Sequence, residues 1–160
     1  MADVTVRRFV AGDLHWLAAR HQDLYARDEG VDATYGAMIT ALLHDFCSAH
    51  DPLREKGWIA AQRARRLGSI FCIRESDEIA RLRLFLLTPQ ARGQGLGKRL
   101  IRDCMGFARQ AGYRQMALHS YQSHRTSGSL YRAFGWQLVD SRPVFSFGAN
   151  LIEQTWHVML

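Results

Sequence analysis

Apolar or aromatic-compatible residues at Leu14, Leu17, Ala18, His21, Leu24 and Tyr25 fall at helical spacing, and Gly30 offers a stop. A second stripe of Tyr35, Met38, Ile39, Leu42, Leu43 and Phe46 follows Asp32, a good N-cap, and ends at Asp51 and Pro52. Ahead of both, residues 5–9 read as a short strand. After them the period shortens: residues 58–62 and 67–74, rich in β-branched and aromatic side chains, predict a hairpin, and residues 79–88 extend it into an antiparallel meander. Beyond Pro89, the stripe Leu96, Leu100, Ile101, Cys104, Ala108 and Ala111 restores helical spacing until Gly112 closes it. The remainder predicts a strand over 115–119, a helix over 123–134 and strands over 136–140 and 151–160.

That order predicts an α/β (α+β) fold, a mixed and mostly antiparallel sheet of about six or seven strands flanked by about four helices. The strands before and after the third helix should be parallel, because a helix crosses between them. At 160 residues the chain suits a single domain over 1–160.

Composition narrows the partners. The formal net charge of +6 favours an anionic partner such as a phosphorylated cofactor. Nucleic acid is not the expected one: Arg63, Arg65 and Arg66 cluster, but without interleaved aromatics, and they read as a solvated turn. Cys47, Cys72 and Cys104 are odd in number and widely spaced, so they read as small core residues rather than a disulfide or zinc framework. Residues 1–8 hold no signal-like apolar run and no stretch suits a bilayer span, so no membrane partner and a cytoplasmic location are expected. His44 and His50, with Asp45 and Asp51, lack the i, i+4 spacing that would align ligands, and no metal is expected.

The chemistry concentrates in Leu84-Phe-Leu-Leu-Thr-Pro-Gln-Ala-Arg-Gly-Gln-Gly-Leu-Gly-Lys-Arg-Leu100. Gly93, Gly95 and Gly97 strip side chains from a turn that opens a helix, so backbone N–H groups and the helix dipole can converge on an anion. Arg92 and Lys98 add positive charge. A P-loop is excluded because Arg99 follows Lys98 where a hydroxyl should stand, and Arg92 occupies the first glycine position. A dinucleotide fingerprint starting at Gly93 fails because its last position is Lys98. What remains is Arg-x-x-Gly-x-Gly, carried by Arg92, Gly95 and Gly97.

With that loop between an apolar strand and an amphipathic helix, and Leu130-Tyr-Arg-Ala-Phe-Gly-Trp136 downstream, the sequence resembles the GCN5-related N-acetyltransferase (GNAT) superfamily. Residues 20–35, 80–100 and 145–160 more narrowly resemble the acetyltransferase module of MarR/GNAT fusion proteins. No winged-helix segment is present, so no DNA-binding role comes with that likeness.

The resemblance implies an N-acetyltransferase that passes acetyl from acetyl-CoA to an amine of a small molecule or peptide by direct attack, releasing coenzyme A. It implies that backbone groups of Leu86 and Leu87 meet the pantetheine arm, and that Arg92, Gly93, Gln94, Gly95, Leu96, Gly97 and Lys98 hold the diphosphate. Tyr131 falls on the family's general acid, against the plain reading of an aromatic facing the core. His124 stands where the family commonly has asparagine. The first two helices, including Tyr25, Asp28 and Glu29, are implied to border the acceptor pocket, and a homodimer is common in the family.

No base is evident. Glu78 opens the relevant strand, and His119 reads either as a proton relay or as an ordinary strand-end residue. Arg81 and Arg83 share one sheet face, which either lines the acceptor cleft and favours an acidic substrate or meets solvent. The alternative of an acyl-CoA-binding sensor without turnover draws on the missing base and on His124.

Overall fold

A computed structural model describes residues 3–160; Met1 and Ala2, part of the segment read above for a signal sequence, lie outside them. The strands are β1 (Thr5–Arg8), β2 (Lys56–Gln62), β3 (Arg65–Arg74), β4 (Ile79–Leu87), β5 (Gln115–Tyr121), β6 (Gln137–Ser146) and β7 (Ala149–Met159). The helices are α1 (Leu14–Glu29), α2 (Ala33–Ala49), α3 (Leu96–Gln110) and α4 (Arg125–Ala133). All seven strands form one sheet in the order β1-β2-β3-β4-β5-β7-β6. Among the described residues only β4 and β5 pair in parallel, on either side of the α3 crossover.

Each face of the sheet has its own core. Leu17, Ile39 and Leu43 of α1 and α2 meet Ile59 and Phe71 on one face, while Leu100, Ile101 and Cys104 of α3 meet Ile70, Leu82 and Met116 on the other. Each fully buried Leu or Ile contributes about 1.5–3 kcal/mol. Gly30, left-handed at φ 73°, ends α1, and the Asp32 carboxylate caps α2 by accepting from the Thr34 N–H at 3.0 Å.

Three expectations need correction. The last two strands are longer than the pattern indicates, because β6 runs on through Pro143 to a two-residue turn at Phe147 and Gly148, both at positive φ. Pro143 is tolerated because β6 is the sheet's outer strand. Cys47 is not a core residue: it lies exposed in the last turn of α2, whereas Cys72 and Cys104 are buried. Arg66 is not a freely solvated turn residue, since its Nε donates to Asp13 Oδ1 at 2.8 Å.

Asp13 ties the first strand to the β2–β3 hairpin. Its side chain is 1% exposed and also accepts from both Arg7 nitrogens, at 2.9 and 2.8 Å, and from the Val10 N–H at 2.9 Å. Burial alone would raise its pKa, but the hydrogen bonds from Arg7, Val10 and Arg66 together hold it well below the usual carboxylate range. The group therefore contributes stability that is present above about pH 4 and lost as the pH falls toward its depressed pKa. Asp13→Asn is expected to cost about 2–4 kcal/mol at neutral pH, discounted for the half-exposed arginines. Thermal melts from pH 2 to 7 check this: the wild-type advantage should shrink in acid, and a constant gap across that range would contradict it.

Candidate active site

Two features of β4 shape the site. The first is a bulge. Ser69 pairs with Leu86 and Phe71 with Arg83, so Ile70 alone faces both Leu84 and Phe85. Leu84 sits at φ 51°, a conformation costing on the order of 1–3 kcal/mol for a non-glycine residue, and its carbonyl accepts from the buried Ser69 hydroxyl at 2.6 Å. The extra residue changes the strand's parity. Before it Ala80 and Leu82 face the α3 core; after it Phe85 and Leu87 do, while Leu84 packs with α1 and α2.

The second feature is a splay. β4 and β5 pair only from Ile79↔Gln115 to Arg81↔Ala117, and beyond that the strands part. The edge of β4 from 82 to 87 that faces β5 is thus left without a strand partner. A cleft of about 260 Å³ opens there, lined by Phe85, Leu86 and Leu87 of β4, by Arg92, by Tyr25 and Asp28 of α1, and by His124, Ser127 and Leu130 around α4.

The glycine loop leads from β4 into α3. Gly93 and Gly95 are left-handed at φ 76° and 78°, and a Cβ built on either meets nothing within 4 Å, so the space beside the loop is open. Gly95 is the N-cap of α3 and supplies no side-chain hydrogen bond. The first helical N–H to find a partner is that of Arg99, which donates to Gly95 O at 3.2 Å, leaving those of Leu96, Gly97 and Lys98 unsatisfied within the helix. Gly97 serves packing instead: a Cβ there would lie 3.0 Å from Leu130 Cδ2 and 3.4 Å from Leu87 Cδ1. An uncapped helix N-terminus beside open space, with Arg92 and Lys98 flanking it, fits a diphosphate.

Tyr131 lies behind the cleft wall, 4% exposed, with its ring 5.7 Å from Trp156, 5.9 Å from Trp136 and 6.3 Å from Phe85. Burial, and then proximity to Tyr25, push its pKa up, against a hydrogen bond from Ser127 of the cleft lining. His124 lines the cleft, and its Nε2 donates to Glu29 Oε1 at 2.9 Å, while the Ser123 hydroxyl donates to the same oxygen. Burial lowers the His124 pKa and Glu29 pulls it back up.

A second cavity of about 290 Å³ lies on the α1–α2 side, with Tyr25 shared between the two. Its lining includes His21, Tyr35, Arg81, Arg83, His119, Tyr121 and Glu153. Tyr25 stacks on Tyr35 at 4.7 Å, and its pKa is pushed up to about 12, chiefly by burial. His119, whose Nδ1 lies 3.0 Å from Thr155 Oγ1, has a lowered pKa because of burial and then Arg81. Glu78 is elsewhere, exposed at the start of β4 beside Arg114 at 3.9 Å. His21 escaped the sequence reading as a polar group: it fits the apolar stripe of α1, and only the fold reveals the cavity beside it.

The acetyltransferase (GNAT) domain family matches residues 54–138. Over 101 residues the chain is 29% identical to human N-acetyltransferase 8B, a match covering 60% of this chain and 44% of that protein, so the chain spans less than half that curated relative's length. Among solved structures, a GCN5-related N-acetyltransferase from Kribbella flavida superposes with a TM-score of 0.78 at 16% identity over 98% of both chains. A spermidine N-acetyltransferase from Vibrio cholerae, in complex with CoA and spermine, gives 0.74 at 15% identity over 98% of this chain and 95% of that one. The chain belongs to the GNAT family of acetyl-CoA-dependent acyltransferases and has its fold.

Proposed function

We propose that this chain is a single-domain N-acetyltransferase over residues 1–160, passing acetyl from acetyl-CoA to the amine of a small molecule or peptide by direct attack. The observation that carries the reading is the uncapped start of α3 behind two open left-handed glycines, where β4 and β5 part. In it, Arg92, Gly93, Gln94, Gly95, Leu96, Gly97 and Lys98 hold the diphosphate, the first by charge and the rest chiefly by backbone N–H groups. Leu86 and Leu87 offer the backbone of the free β4 edge to the pantetheine arm, and His124 borders the same cleft.

Acetyl-CoA, when bound, supplies an activated thioester. The protein's own part is to position the neutral amine, to polarise the carbonyl by backbone N–H groups near Leu87, and to give the Tyr131 hydroxyl proton to the departing sulfur as the C–N bond forms and the C–S bond breaks; water takes the proton the amine sheds and returns it to the Tyr131 oxygen. A phenol is a weaker acid than a thiol, and burial weakens it further, so Tyr131 acts by placement rather than by acidity. No metal enters this scheme. The cytoplasm, whose reducing conditions suit three free thiols, is the proposed location, and a homodimer the proposed assembly. No helix among the described residues is long and apolar enough to cross a membrane.

Coenzyme A release over a panel of amines tests the function. Release that depends on the amine and saturates with it is expected. Acetyl-CoA binding with no release for any amine would overturn the reading in favour of a sensor.

A further inference from the structure

The cavity on the α1–α2 side holds two unmet polar groups. His21 is 1% exposed, and its Nδ1 lies 3.0 Å from the Leu17 carbonyl oxygen. A carbonyl carries no proton, so Nδ1 is the donor and Nε2 of the neutral ring is left as a bare acceptor. That Nε2 is buried without a partner, and so is the Nε–H of Arg81. Native proteins rarely bury such groups unpaired, and two in the lining of one cavity point to a missing ligand with a donor and an acceptor of its own.

Charge says which kind. Arg81 and Arg83 both line the cavity, and neither makes an ion pair among the described residues. Burial and the neighbouring Arg81 lower the Arg83 pKa to about 10, as expected for two guanidinium groups crowded without an anion. The cavity's acid, Glu153, is engaged by Arg142 at 3.4 Å and lies 4.0 Å from His119 Nδ1. Burial and the arginines lower the His119 pKa, which favours a neutral ring near pH 7.

We infer that the acceptor is an amine that carries a carboxylate: the carboxylate meets Arg81 and Arg83, and an N–H of the amine donates to His21 Nε2. The inference rests on the transferase reading for the word acceptor. The planar guanidinium fork matches a carboxylate, and Glu153 opposes a doubly charged phosphate more than a singly charged carboxylate. A polycation such as spermine finds two like charges there instead. Arg81 and Arg83 alternate with Ala80 and Leu82, which face α3, so both arginines lie on the α1–α2 side with the acceptor cavity.

The test uses matched acceptors: phenylalanine against phenethylamine, histidine against histamine, glycine against phosphoethanolamine, with spermine as a polycation. Coenzyme A release should favour the carboxylate of each pair by at least about tenfold in kcat/KM. Arg81→Gln and Arg83→Gln should each erase most of that preference and leave acetyl-CoA affinity unchanged. His21→Leu should lower kcat for the favoured acceptor about tenfold, and His21→Gln, whose amide oxygen can stand in for Nε2, should restore part of it.

Calorimetry with the N-acetylated amino acids, with and without coenzyme A, reads the same site independently of turnover. Micromolar to millimolar binding that weakens about tenfold in Arg81→Gln is expected. Equal or better performance by the decarboxylated amines, the phosphate or spermine, or no affinity for any carboxylate, would overturn the inference and leave the transferase standing. Carboxylate binding with no coenzyme A release from any amine would instead overturn the transferase reading and keep the anion site.

Discussion

Tyr131→Phe lowers kcat for coenzyme A release by about 10²-fold and leaves the acetyl-CoA dissociation constant within about twofold of wild type. The substitution removes one oxygen from a ring held by Phe85, Trp136 and Trp156, and the aromatic packing that fixes its position survives. Ser127 loses a partner, but it lies in the cleft lining where solvent can replace it. The pH profile separates chemistry from packing. Because the folded pKa is raised, the phenol keeps its proton at pH 10, where an exposed tyrosine is half ionised. No alkaline fall assignable to Tyr131 should therefore appear by pH 10. Equal turnover in the two proteins would remove Tyr131 from the mechanism and leave it a core residue.

Gly95→Glu weakens acetyl-CoA binding by on the order of 10²-fold or more. Two causes add. The left-handed backbone at φ 78° costs a side chain roughly 1–2 kcal/mol, and a carboxylate beside the N-terminal amides of α3 repels the diphosphate it would need to admit. Gly95→Ala separates them, since it carries the backbone strain without the charge and has open space for its methyl group. Its effect should be no more than about tenfold. Calorimetry on the two variants checks both values, and unchanged affinity in Gly95→Glu would remove the loop from the cofactor site.

The loop and α3 were legible because both are local. Leu96, Leu100, Ile101, Cys104 and Ala108 keep one helical period and are all buried, and three glycines in five residues mark the turn before them. The meander and the parallel β4–β5 pair were legible for the same reason, from runs of strand residues and the helix between them. What escaped depends on distance. The bulge at Leu84 leaves no glycine as a marker, because the buried Ser69 hydroxyl, fifteen residues away in sequence, holds the leucine there. The bond from Arg66 to Asp13 crosses 53 residues, so a local reading saw only a charged turn. Both faces of β4 are covered by helices, so alternation alone paired Arg81 with Arg83 but could not say which face they take. β6 was cut short because its solvent-facing, proline-bearing run lacks the alternation that marks a half-buried strand.

Where acetyl-CoA sits in a structure of its complex with the protein decides whether the glycine loop is the cofactor site. The diphosphate is expected within hydrogen-bonding distance of the backbone nitrogens of residues 93–98, with the pantetheine arm running along the free edge of β4 beside Leu86 and Leu87. Density for the ligand elsewhere, with the amides of Leu96, Gly97 and Lys98 facing solvent or side chains, would contradict it.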